Sequence, residues 1–218
     1  MNGLNQEFIN NPIVFISQNT ISSITWFNRA MSAYAPVRHK DQIHRCNKDK
    51  KALFDLQFYK GQKNNLELVL VSDKHSDKDD VIIEAHWCPY VSGTELSGYV
   101  DVLRINPQYK FVFTPAMNGC SLIVGDSPLG KNYIRIFHNQ HPTNKKINDL
   151  IRKNTSGGNI TDSLNFDEYG TIDAPNAFNF MFYSGSGWCF VGQPQILNVL
   201  TNEVSFRPCS TFVFRQVI

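Results

Sequence analysis

Cys120 and His138 are the residues of this chain whose types and spacing best suit chemistry. A thiol attacks a carbonyl carbon well only as the thiolate, and a nearby imidazole that takes the proton and later returns it is the usual intracellular means of making one. The two lie eighteen residues apart, joined by Cys120-Ser-Leu-Ile-Val124, a Gly125–Gly130 turn and Tyr133-Ile-Arg-Ile-Phe-His138. That interval suits a hairpin that brings the side chains together across neighbouring strands. Gly119 permits a backbone shape closed to other residues, so Cys120 is expected to open a strand with its own N–H turned toward a developing oxyanion. The alternative is an inert core thiol beside a histidine at the sheet rim.

The elements that must position these residues read mainly as strands. Phe54, Leu56 and Phe58 alternate with polar positions, the Gly61–Asn65 stretch has turn chemistry, and Leu66–Val71 returns, which predicts a hairpin. Val81–Trp87, Gly98–Ile105 and Tyr109–Phe113 are further strand candidates, and aromatic, β-branched runs recur over Ala177–Tyr183, Trp188–Val191, Gln195–Leu200 and Thr211–Val217. Two helices are expected. One covers Ile21–Tyr34, where apolar residues recur at helical spacing; the other runs from a Thr143 or Asn144 cap to a stop before Asn154. There is no repeat and no regular strand–helix alternation, so the expectation is one α+β domain spanning 1–218: largely antiparallel sheets in a sandwich-like core, a few outer helices and long loops.

Composition narrows the function classes. A net charge of +2 and a sequence pI near 8.2 do not call for nucleic acid. No window approaches a membrane span and the N-terminus lacks a Sec signal, which implies a soluble chain. Five scattered cysteines without a C-x-x-C pair fit reduced thiols rather than a disulfide scaffold or zinc knuckle. The Arg38–Lys51 segment is strongly basic; it reads as a solvated loop or, more sharply, as a docking patch for an acidic protein surface. His86 and Cys88 are two apart but lack a glycine turn and precede Pro89, so packing is their expected role. Ser184–Gly187 reads as a hairpin turn, and Asp77, Asp79 and Asp80 as a charged turn without a calcium-loop pattern.

Thr114, five intervening residues, Gly119-Cys120, Val124-Gly125-Asp126 and a histidine closing the next strand together resemble the active-site segment of the glutamine deamidases. That superfamily includes Burkholderia lethal factor 1, the Rho-activating domain of cytotoxic necrotizing factors and the chemoreceptor deamidase CheD. The match covers about a tenth of the chain, and two features depart from it: Asn118 replaces the usual small residue, and Ser127–Asn132 lengthens the interval between thiol and imidazole.

The resemblance implies a protein-glutamine deamidase with Cys120 as nucleophile, His138 as base and acid, and Thr114 orienting the imidazole, without metal or organic cofactor. His141 competes with His138 for the base, and a zinc site from Cys120, His138 and His141 would lack an evident fourth ligand. The implied protein is a monomeric bacterial toxin or effector, delivered to host cytosol and acting on a host protein such as a translation-initiation helicase or small GTPase. The same dyad would serve a papain-like or transglutaminase-type acyl transferase. A catalytically dead β-rich binding module, docking through Arg38–Lys51, is the reading from outside the enzymes.

Overall fold

The computed structural model describes residues 3–23, 37–59, 64–71, 81–93, 95–198, 203–206 and 212–217. In chain order its elements are α1 (Leu4–Asn10), α2 (Pro12–Gln18), β1 (Thr20–Ser22), α3 (Val37–Asp49), β2 (Lys51–Phe58), β3 (Asn65–Leu70) and β4 (Ile83–Trp87). There follow β5 (Gly98–Leu103), β6 (Phe111–Phe113), β7 (Met117–Asn118), β8 (Ser121–Asp126), β9 (Tyr133–Asn139), α4 (Lys145–Lys153) and β10 (Ile160–Leu164). The chain closes with α5 (Phe166–Tyr169), β11 (Asn176–Tyr183), β12 (Trp188–Asn198), β13 (Glu203–Phe206) and β14 (Val213–Gln216).

These strands make two sheets. The larger runs β1-β3-β2-β4-β6-β11-β12-β13, with β14 also on β12 and β7 also on β11; only the β1–β3 and β4–β6 pairings in it are parallel. The smaller is antiparallel throughout, in the order β10-β8-β9-β5. Strand periodicity explains how they stack, because successive side chains leave opposite faces. On β11, Phe178, Phe180 and Phe182 pack with Phe8, Phe15, Ile16, Ile43 and Cys46 from α1, α2 and α3. Ala177, Met181 and Tyr183, on the other face, meet Val100, Leu122, Val124, Ile134 and Ile136 of the smaller sheet. Ile147 and Ile151 of α4 then cover Phe137 on that sheet's far side. The result is a four-layer α-β-β-α arrangement, the mixed α+β sandwich with outer helices read from the sequence.

Several local expectations meet the structure directly. The hairpin of β2 and β3 pairs Phe54 with Leu70 and Phe58 with Leu66. The Asn144 side chain caps α4, accepting from Ile147 N at 3.3 Å. Ser184–Gly187 closes the β11–β12 hairpin, with Ser184 N donating to Gly187 O at 3.0 Å. The described cysteines Cys46, Cys88, Cys120 and Cys189 are free thiols.

Two expectations require correction. The basic segment is not a loop but α3, because Ile43 and Cys46 share a face that docks into the core beneath the sheet. The helix expected from Ile21 begins instead as β1, paired with β3 in parallel register; residues 24–34 of that expectation lie outside the described residues, as do Asp77, Asp79 and Asp80. Two unforeseen helices precede it. Pro12 opens α2 at a position where its missing N–H costs nothing, and the Asn11 side chain accepts from Val14 N at 3.1 Å.

Candidate active site

The Cys120 and His138 segments do form neighbouring strands. In the β8–β9 ladder Leu122 faces His138 and Ser121 faces Asn139, so Cys120, two residues before Leu122, lies diagonally across from His138 on the same face. That face looks inward, toward the larger sheet. β9 extends one residue beyond His138, which places the imidazole inside the ladder rather than at its rim. At the other end β8 runs through Gly125 and Asp126, so the turn is shorter than its glycines imply.

Thr114 arrives from the opposite layer. It follows β6 in the larger sheet, and its Oγ1 lies 2.5 Å from His138 Nδ1, both groups being fully buried. With the ring proton on Nδ1, the threonine oxygen accepts it and Nε2 presents its lone pair. That Nε2 is buried without a hydrogen-bond partner. Burial pushes the imidazole pKa down to about 4, so the ring is neutral at pH 7. The aromatic ring of Tyr90 packs edge-on against it at 5.5 Å between centroids. His141, by contrast, lies exposed beyond the strand, its N–H donating to Asn139 Oδ1 at 3.1 Å.

Cys120 is held by its backbone. Gly119 before it adopts φ +74°, and a Cβ there would meet open space, so glycine is required by conformation and not by crowding. Gly119→Ala should therefore destabilise the fold by only about 1–2 kcal/mol, read from the midpoint of urea unfolding. The Cys120 carbonyl accepts from the buried Tyr169 hydroxyl at 2.7 Å. Its Sγ, 3.8 Å from Asn118 O, belongs to a residue only 7% exposed, and burial pushes the thiol pKa up, with a smaller opposing effect from that carbonyl. The resting pair is thus thiol and neutral imidazole.

Gln140 stands opposite Cys120 by continuation of the ladder, with Nε2 donating to Gly93 O at 3.4 Å and Oε1 buried without a partner. Gln140, Tyr90 and Tyr169 were not legible as site residues, since each reaches this place by a tertiary contact. Among the described residues no three His, Cys, Asp or Glu side chains converge as a metal site. Cys88 is structural in its contacts: fully buried, Sγ donating to Ile136 O at 3.4 Å, with burial raising its pKa to about 12.

No described helix is long and apolar enough to cross a membrane. No curated protein matches the chain. A family model does, the Mcf1 activator-binding domain, over residues 4–207, which takes in the smaller sheet, all of the larger sheet but β14, and the whole Thr114–His138 segment. With nearly its full length inside that match, the chain belongs to the toxin-related family of Mcf1 activator-binding domains.

Proposed function

We propose that this chain is a protein-binding domain of a toxin, one that docks an activating partner protein. The observation that carries this reading is the extent of the family match, residues 4–207, which leaves β14 as the one described strand outside a domain named for binding an activator. The resting state of the Cys120 centre is consistent with it. A protonated, enclosed thiol is poorly placed to meet a glutamine on another folded protein. The test is affinity recovery from host cytosol on the immobilised chain, followed by reassembly from purified components. The expected outcome is one partner in a 1:1 complex of micromolar or tighter affinity; failure to reassemble any complex counts against the reading.

A second reading rests on a specific observation, the Thr114–His138 contact at 2.5 Å, with His138 on the strand paired to the one that Cys120 precedes. In that reading the chain is a glutamine deamidase. His138 Nε2 takes the Cys120 proton, the thiolate attacks the glutamine Cδ, and the C–N bond of the tetrahedral adduct breaks as imidazolium protonates departing ammonia. Water then hydrolyses the thioester to glutamate and restores the thiol. Peptide mapping of host proteins after incubation with wild type and with Cys120→Ser decides it. A glutamine-to-glutamate change made by the wild type alone supports deamidation, and peptide cleavage would point to a protease instead.

A further inference from the structure

We infer that the cleft between the second half of α3 and the β2–β3 hairpin is the docking site for an acidic protein segment that inserts one aliphatic or aromatic side chain. This rests on the partner-binding reading and adds the surface and the chemistry of the partner. The cleft has a volume of about 190 Å³ and is lined by Cys46, Leu53, Leu70 and Val71 together with Arg45, Lys51 and one carboxylate, Asp49. Leu53 is 44% exposed and leaves apolar surface for a partner side chain to cover. Val37, at the start of the same helix, is 73% exposed. An apolar pocket ringed by charge is the form that a binding hot spot takes.

The charge distribution selects the partner. Between residues 38 and 51 six cations stand against Asp41 and Asp49, so this stretch is more positive than the whole chain, whose net charge is +2. On α3 Lys40, His44, Arg45 and Lys48 are exposed, while Ile43 and Cys46 are buried beneath. Asp41 and Asp49 share the exposed side, which disfavours a polyphosphate backbone and suits a protein surface with a defined pattern of carboxylates. The helix is also firmly seated. Trp87 Nε1 donates to Asn47 Oδ1 at 2.8 Å, and Lys50 Nζ lies 3.5 Å from the centre of the Tyr99 ring in the smaller sheet. A rigid platform of this kind lowers the ordering cost of binding.

Fluorescein-labelled decapeptides test the surface without a natural partner in hand. One carries a central Leu or Phe flanked by Asp and Glu, a second the same anchor flanked by Lys, and a third the acidic flanks around Gly. The expected result is saturable binding of the first alone, weakened at least tenfold by Leu53→Asp and by Arg45→Glu but unchanged by Lys145→Glu on α4. Circular dichroism of each variant confirms that it remains folded. Equal binding of all three peptides, no binding of any, or equal loss with Lys145→Glu would overturn the proposal. So would tight binding of a labelled 20-nucleotide RNA that falls with Lys48→Glu yet ignores Leu53→Asp. A partner that reassembles from cytosol but tolerates both cleft variants would sink this surface and leave the binding function standing.

Discussion

Asp101→Ala is expected to cost about 3–5 kcal/mol of folding stability, the range found when one member of a buried ion pair is removed. Arg135 Nε and Nη2 reach the two Asp101 oxygens at 2.7 and 2.8 Å, with side chains only 8% and 14% exposed. The guanidinium also donates to Asn154 O at 2.9 Å and lies 4.0 Å from the centre of the Tyr99 ring. Ser127 Oγ donates to the same carboxylate at 2.7 Å. Truncation therefore strands a charge between β5 and β9, at the register Asp101–Arg135, and leaves the β8–β9 turn without its anchor. The check is urea unfolding followed by circular dichroism. A double change of Asp101→Leu and Arg135→Met should recover much of the loss, because a well-packed apolar pair removes the uncompensated cation.

The second large effect is a loss of stability in acid that belongs to His138. Its folded pKa is about 4, against an ordinary value of 6.5, because the ring is fully buried, held by Thr114 at Nδ1 and packed on Tyr90, with no carboxylate partner among the described residues. Between those two values the unfolded chain binds a proton that the folded chain refuses, so stability falls as pH drops from about 6.5 to 4 and is level on either side. The lowering corresponds to about 3 kcal/mol. His86 titrates in the same direction, its pKa lowered to about 4 by burial and by Lys51, so the wild-type curve carries both. Unfolding free energies of wild type and His138→Gln at pH 7 and at pH 4.5 separate them. The difference between the two proteins should shrink markedly at the lower pH, and a constant difference would mean that His138 is not buried neutral.

The parts of the fold that could be read from sequence are those where one local pattern dominates. The β8–β9 hairpin is of this kind: Leu122 and Val124 alternate with outward positions, Ile134 and Ile136 answer them, and one buried face fixes the register. The Asn144 cap is equally local. Where local and tertiary demands conflict, tertiary contacts prevail. Ile21 fits a helical spacing with Ile24 and Phe27, yet its N–H donates to Gln193 Oε1 at 3.0 Å and its carbonyl accepts from Gln195 Nε2 at 2.7 Å, while β3 pairs the other edge. Those glutamines lie far along the chain and leave no mark near residue 21. In α3 the run of charged and histidine side chains masked a two-residue apolar face, Ile43 and Cys46.

The site shows the same division. Cys120 and His138 could be matched by spacing alone, and Thr114 followed from a family resemblance; the structure brings Thr114 and His138 into contact across two layers. Tyr169, whose hydroxyl fixes the Cys120 carbonyl, comes from a four-residue helix 49 positions away. Such an approach depends on the packing of α5 against the sandwich and has no sequence period to betray it.

The most direct measurement of the central claim is isothermal titration of the purified chain, wild type and Cys120→Ser, with the partner recovered from host cytosol, combined with intact-mass analysis of that partner afterwards. The account predicts a 1:1 complex of the same affinity for both proteins and an unchanged partner mass. A partner converted by substoichiometric wild type, with glutamine turned to glutamate and no lasting complex, would contradict it.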